Sequence, residues 1–192
     1  MKANSRSLNL SALLNAVKES ELLWVILFSI LTAISAQVSI PVKPVPFTLQ
    51  TMIVLLAGAF LGSKNGAYSQ VLYIFLGIIG LPVFAQTADG TMGFARLIGP
   101  TGGYLLAFPL AAFLVGYLTE KSQKYLFVII SMFAAEIVII FIGTLYLNAA
   151  FIHNFIDAFK AGAAIFTVWM VIKVFVAATI YFSISKKQPR LP

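Results

Sequence analysis

Hydrophobic residues form six long runs along this chain, separated by short breaks of glycine, proline and charged residues. A helix needs about 20 apolar residues to cross a hydrocarbon layer of about 30 Å, and each run approaches that length. We therefore predict an all-α integral membrane bundle of six transmembrane helices within one membrane domain, 1–192. The predicted spans are 22–40, 47–62, 67–81, 100–118, 125–147 and 161–184.

The segments outside these runs differ in character. Pro41 ends the first span because it cannot donate a helical hydrogen bond, and the three prolines of 41–46 favour an extended loop. Segment 82–99 is the longest irregular stretch, a length that is usually functional or mobile in a small protein. The N-terminal segment 1–21 contains leucines at a spacing that fits either a helix on the membrane surface or a disordered tail.

Composition excludes several kinds of protein. Hydrophobic residues make up 60% of the chain and charged residues 10%, with a mean hydropathy of +0.98. Cysteine is absent and His153 is the one histidine, so we expect no thiol chemistry, no metal site and no cofactor. The net charge of +7 is spread over the ends of the spans, which is not the clustered pattern of a nucleic-acid-binding surface.

The basic residues predict the orientation. Six spans place both termini on one side of the membrane, together with 185–192 and the breaks near residues 64 and 122. That side carries Lys2, Arg6, Lys18, Lys64, Lys121, Lys124, Lys186, Lys187 and Arg190, and the other side carries Lys43, Arg96 and Lys160. Because cytoplasmic loops are enriched in lysine and arginine, both termini are predicted to be cytoplasmic, and segments 41–46 and 82–99 to face outward.

Two ionisable residues fall inside predicted spans. Glu136 lies midway along the fifth span and Lys173 about halfway along the sixth. Such residues are rare in membranes and mark functional sites by default. They can form a structural ion pair with each other, or Glu136 can be protonated. Alternatively, Lys173 reaches a cavity and meets an anionic or strongly polar ligand, with Trp169 one turn earlier as an apolar wall.

Small residues stand out at two places. Gly102 and Gly103 open the fourth span, where free helix amides attract a carboxylate, although glycines there can also serve packing alone. In the first span Ser29, Ala33 and Ala36 belong to pairs of small residues spaced by four. This spacing allows close helix contact in lipid, either within the bundle or with a partner membrane protein.

Three motifs resemble one known family. They are Pro44-Val45-Pro46-Phe47-Thr48-Leu49-Gln50, Gly80-Leu81-Pro82-Val83-Phe84-Ala85 and Gly99-Pro100-Thr101-Gly102-Gly103-Tyr104. In this order they resemble the biotin-specific substrate-binding (S) components of energy-coupling-factor (ECF) vitamin transporters, the BioY family. The similarity runs from the first span to Lys173.

The resemblance implies a transport subunit rather than an enzyme. Such a subunit captures biotin on the outer side of the cytoplasmic membrane of a prokaryote, and it works with a coupling transmembrane subunit and a pair of cytoplasmic ATPases. The positions that match the family's pocket are Gln50, Asp89, Tyr104 and Lys173. The small residues Ser29, Ala33 and Ala36 match the surface that meets the coupling subunit.

The chemistry of biotin suggests further pocket residues. Its apolar rings and chain suit an aromatic wall, for which Phe84, Phe94, Tyr104 and Trp169 are candidates. Its carboxylate needs a cation or amide donors, which Lys173, Arg96 or the amides of Gly102 and Gly103 can supply.

One position departs from the family pattern. Met170 stands three residues before Lys173, where the family often has an acid that would accept the ureido N–H groups. Asp89 is our first candidate for that acceptor and Glu136 the second.

Other functions fit the sequence less well. An S component for another vitamin shares every argument about the fold, and Met170 favours it. A small membrane enzyme acting on lipid would need a nucleophile and base, for which this chain has few residues. A structural or channel-like bundle predicts neither the glycine-rich start of the fourth span nor the polar segment 82–99.

Overall fold

The computed structural model describes residues 20–86 and 90–185, most of which are helical. In chain order its elements are α1 Glu21–Gln37, β1 Ser39–Ile40, β2 Phe47–Thr48, α2 Gln50–Ile78, α3 Phe94–Leu97, α4 Gly102–Lys121, α5 Tyr125–Leu147, α6 Phe155–Gly162 and α7 Thr167–Ser185. A π-helical turn, Asn148–Ile152, follows α5, and a 3-10 turn, Ala164–Phe166, precedes α7. The leucines of segment 1–21 that suggested a surface helix, and nearly all of the tail, lie outside the described residues.

A short antiparallel hairpin joins α1 to α2. Ser39 pairs with Thr48 and Ile40 pairs with Phe47, so the proline-rich loop 41–46 is held between two strands. Because Phe47 and Thr48 are extended and hydrogen-bonded to β1, helix α2 begins at Gln50 and not at residue 47 as the hydrophobic pattern suggested.

Helix α2 reverses its direction at Gly62. This residue has φ 78° and ψ −174°, a backbone conformation that is essentially restricted to glycine. The side chains of Gln50 and Tyr73 are hydrogen-bonded although they are 23 residues apart, a separation of about 34 Å in a straight helix. The arms 50–61 and 63–78 are therefore antiparallel. The break predicted between residues 62 and 67 lies instead at Gly62, and residues 63–66 are already helical.

Helix α4 packs closely against this reversal. The backbone amide of Ser63 donates to Glu120 Oε1 over 2.7 Å, which gives an acceptor to an amide at the start of the second arm. Gly116 faces the backbone of Gly62 and Ser63 so closely that a Cβ atom would overlap it. Small residues thus let two helices approach to backbone contact, as is common in membranes.

Several helices are of membrane length. Among the described residues, three are long and apolar enough to cross a membrane: Gly102–Lys121, Tyr125–Ile152 and Thr167–Ser185. Helix α1 is apolar but shorter. The structure is therefore a mostly helical bundle with several membrane-length helices, which agrees with the predicted class at this level. Helix α7 begins at Thr167 and not at residue 161 as predicted, because short helical pieces occupy residues 155–166.

The small residues of α1 mostly face inward. Ser29 and Ala36 are fully buried within this chain, and Ala33 is half-buried. Between Ser29 and Ala36, the hydroxyl of Thr32 lies 3.4 Å from Gln70 Oε1 on the second arm of α2. Of the three residues considered for partner docking, only Ala33 therefore belongs in part to an outer surface. Side chains such as Ile30 and Ile34 form the exposed face of α1.

Candidate functional site

A cavity lies between the β hairpin, residues 84–85 and 96–101, and the helices α2, α4, α5 and α7. It outlines about 640 Å³ of space, which includes open solvent at its mouth. Its apolar lining is Val45, Pro46, Phe84, Ala85, Leu105, Phe108, Ile139, Ile140, Phe166 and Met170. Its polar lining is Thr48, Gln50, Thr51, Arg96, Thr101, Tyr104, Glu136 and Lys173. An apolar wall with a few fixed polar groups suits a small, mostly apolar ligand with polar ends.

The charged cluster in this cavity consists of Glu136, Thr51 and Lys173. Lys173 Nζ lies 3.4 Å from Glu136 Oε1, and the Thr51 hydroxyl donates to the same oxygen over 2.5 Å. Lys173 Nζ in turn donates to the Thr51 hydroxyl. Glu136 is 1% exposed and Lys173 is 6% exposed. Two buried ions need such contacts with each other, because removing either ion from water costs free energy.

Gln50 and Arg96 are held by a second set of contacts. Gln50 Nε2 donates to the hydroxyl of Tyr73, which donates to the carbonyl of Val83 over 3.2 Å. Arg96 Nη2 donates to the carbonyl of Ala85 over 2.8 Å. These bonds connect α2 and α3 to segment 82–86 and place a buried guanidinium at the cavity wall.

Tyr104 bridges three elements at the cavity. Its hydroxyl donates to the carbonyl of Gly162 over 2.8 Å and lies 3.4 Å from Thr144 Oγ1. Its ring lies directly against Gly143, where a Cβ atom would overlap the ring. Tyr104 therefore lines the cavity, as predicted for a pocket residue, and also connects α4 to α5 and to the end of α6.

Gly102 and Gly103 do not line the cavity. A Cβ atom at Gly102 would overlap the carbonyl of Leu97, and one at Gly103 would overlap the side chain of Tyr146. Both glycines therefore permit close packing at the start of α4, which is the second of the two roles that the sequence left open. Next to them, Thr101 contributes its side chain to the lining.

Two predicted pocket residues, Trp169 and Phe94, do not belong to the cavity lining, and a third is not described. Trp169 Nε1 donates to the carbonyl of Thr48 over 3.4 Å, so the indole connects α7 to β2 outside the cavity lining. Phe94 is exposed. Asp89 lies outside the described residues. The structure brings Gln50, Phe84, Arg96, Tyr104 and Lys173 together in one lining.

Several lining residues were not predicted from the sequence as pocket residues. Thr51 and Thr101 are isolated polar residues in the sequence. Folding places Thr51 beside Glu136 and Lys173, and it places Thr101 in the cavity wall. The Thr101 hydroxyl is buried and has no hydrogen-bond partner among the described residues, so it is available to a ligand. Phe166 packs on Phe47 with ring centroids 4.6 Å apart. The nearest sequence signal was the Gly-Pro-Thr-Gly-Gly motif itself, which contains Thr101.

Gly77 is another residue whose role appears only in the structure. A Cβ atom there would overlap the ring of Phe84, so the absence of a side chain lets Phe84 take its place in the cavity wall. The same ring makes an edge contact with Tyr73, with centroids 5.5 Å apart. Like Gly143 beneath Tyr104, Gly77 provides space for an aromatic residue of the lining.

Comparison with known proteins identifies the family. The model of the BioY family matches residues 6–190. The chain belongs to the BioY family. The Biotin transporter BioY of Thermotoga maritima is 39% identical over 160 residues, which are 83% of this chain and 92% of that protein. The Biotin transporter BioY of Rhizobium etli is 32% identical over 164 residues, 81% of this chain and 86% of that protein.

A BioY chain is also expected to share its fold with solved members of its transporter class. The S-component for biotin from an ECF-type ABC transporter, known from a crystal structure, superposes with a TM-score of 0.81. It is 27% identical, and the match covers 90% of this chain and 94% of that chain. The resemblance inferred from the three motifs is thereby confirmed.

Proposed function

We propose that this BioY chain captures biotin in the cavity described above and serves as the S component of an ECF-type transporter. The observation that carries the proposal is a cavity in which apolar and aromatic walls surround Lys173, Arg96 and Glu136. The BioY relatives and the superposed S component support biotin as its ligand. The chain acts as a non-enzymatic transport subunit.

The lining matches the chemistry of biotin in three ways. The aromatic residues Phe84, Phe108 and Phe166 suit the ring system and the aliphatic chain. The planar guanidinium of Arg96 suits a carboxylate, which it can bind through two parallel hydrogen bonds. The hydroxyl of Thr101 and the amide of Gln50 supply further polar contacts at the wall.

The arrangement in the membrane forms part of the same proposal. Six membrane-crossing segments are obtained when the two arms of α2 are counted separately beside α1, α4, α5 and α7. Residues of the hairpin loop and of the stretches 84–85 and 96–101 line the cavity together, which supports a binding site that opens outward, with both termini in the cytoplasm. The chain then forms one domain in the cytoplasmic membrane of a prokaryote. Its transport partners are a coupling transmembrane subunit and a pair of cytoplasmic ATPases.

Equilibrium binding of labelled biotin to the purified protein in detergent tests the proposed ligand. We expect tight binding by the native chain. Replacing Lys173 by alanine should weaken it roughly 10- to 150-fold, the range expected for a lost hydrogen bond to a charged group. Lys160→Ala is the matched control, because Lys160 is exposed on α6 and should leave the affinity unchanged.

The result decides whether the ligand is biotin or another vitamin. Absence of biotin binding by well-folded protein would reject biotin as the ligand. A panel of other vitamins would then be tested on the same preparation. Tight binding that survives Lys173→Ala would retain the function and leave Lys173 as a structural partner of Glu136.

A further inference from the structure

We infer that the cluster of Glu136, Thr51 and Lys173 binds the ureido group of biotin, with the Glu136 carboxylate as acceptor of a ureido N–H. This inference rests on the proposed function and identifies the part of the cavity that binds the polar ureido ring. Oε1 of Glu136 would then serve the contacts with Lys173 and Thr51, and Oε2 would serve the ligand.

The first argument is the charge of the cluster. Glu136 and Lys173 form an ion pair 3.4 Å apart, and Thr51 contacts both. The cluster as a whole is therefore neutral, and it offers both a carboxylate acceptor and ammonium donors. A ureido group is likewise neutral, with one carbonyl acceptor between two N–H donors. A ligand carboxylate, in contrast, would face the repulsion of Glu136.

The second argument is the geometry of Glu136. Both of its contacts among the described residues, with Thr51 and with Lys173, use Oε1. A carboxylate has about four acceptor positions on its two oxygens. Since Glu136 lines the cavity, the positions on Oε2 are available for N–H groups of a ligand.

The third argument is the lack of a competing carboxylate nearby. Among the described lining residues, Glu136 is the one carboxylate, and Met170, one turn before Lys173 on α7, contributes only an apolar side chain. Leaving ureido N–H groups unpaired in a buried site would reduce affinity. Glu136 is the group in this lining that can accept them with a full charge.

A change of charge at the ligand tests the inference. The probes are biotin and 2-iminobiotin, in which an imino group replaces the ureido oxygen and carries a positive charge near neutral pH. Lys173→Met leaves the charge of Glu136 uncompensated. If Glu136 faces the ureido end, this variant should shift the preference toward 2-iminobiotin by at least about tenfold relative to the native chain. The double variant Lys173→Met/Glu136→Gln should lose that shift.

The controls separate this inference from the proposed function. Glu120→Gln changes a carboxylate whose described contact is the amide of Ser63, and it should leave the preference unchanged. No biotin binding by the native chain would reject the proposed function before any variant is compared. Biotin binding without a shift in Lys173→Met, or with the shift retained in the double variant, would overturn the role of Glu136 alone.

A folding defect in Lys173→Met would leave the double variant as the test, because it removes both buried charges together and avoids an uncompensated ion. We expect the double variant to bind biotin at least about tenfold more weakly than the native chain, because charge-assisted hydrogen bonds to the ureido group are lost. Unchanged affinity in the folded double variant would overturn it.

Discussion

Individual glycines determine where the aromatic walls of the cavity can lie. Gly143 provides the space for the ring of Tyr104, and Gly77 provides the space for the ring of Phe84. Neither glycine lines the cavity itself. Their effect on a ligand is therefore indirect, through the position of a neighbouring ring.

Replacing Gly143 by alanine should displace the ring of Tyr104 toward the cavity and weaken ligand binding. An extra methyl group in a close-packed site costs about 1–3 kcal/mol of folding stability. We expect the displaced ring also to lower the affinity for biotin by about tenfold, which corresponds to about 1.4 kcal/mol of binding free energy. Binding to the purified variant measures this. Phe141→Ala is the control, since Phe141 is exposed on the same helix. Equal affinity in Gly143→Ala and the native chain would contradict the role of Gly143.

At the scale of elements, the reversal within α2 organises one end of the bundle. Gly62 turns the chain within one residue, Glu120 accepts the amide of Ser63, and Gly116 allows α4 to approach. The two arms then place Gln50 beside Tyr73 at the opposite end, where the cavity lies.

Gly62→Ala should destabilise the protein, because alanine cannot adopt this backbone conformation without strain of about 1–3 kcal/mol. Thermal unfolding in detergent should show a lower midpoint temperature than the native chain. Ser63→Ala retains the backbone amide that bonds to Glu120 and should unfold close to the native temperature. A Gly62→Ala variant as stable as the native chain would argue against a glycine-dependent reversal.

At the scale of the whole molecule, the absence of cysteine allows a direct test of orientation. Lys43 lies in the hairpin loop and Lys121 at the end of α4, and both are exposed. Single cysteines at these positions should react differently with a membrane-impermeant maleimide. Lys43→Cys should be labelled in intact cells, and Lys121→Cys only after lysis, because the proposed orientation places them on opposite sides of the membrane.

The unmodified chain is the control for this labelling, since it has no thiol to react. The reverse pattern would invert the proposed orientation. Labelling of both positions in intact cells would mean an even number of crossings between them instead of the proposed three, and the proposal of six spans would be wrong.

The class of this protein and its family could be predicted from the sequence because both depend on local information. Long apolar runs require a membrane whatever their packing, and α5 occupies the predicted residues 125–147. The three motifs sufficed for the resemblance that the BioY family model confirms. Of the predicted pocket residues, Gln50, Phe84, Arg96, Tyr104 and Lys173 line one cavity.

The tertiary structure alone decided which way each side chain faces. Hydrophobic periodicity is weak in a helix that is apolar on all sides, so the inward position of Ser29 and Ala36 could not be predicted. Thr51 and Lys173 are hydrogen-bonded although they are 122 residues apart in the sequence. The Trp169 indole donates to the carbonyl of Thr48, which is 121 residues away. The sequence by itself determined a membrane protein of this family with two buried charges. Their meeting at Thr51 depends on how the helices pack, because contacts between distant residues follow from the fold and not from local pattern.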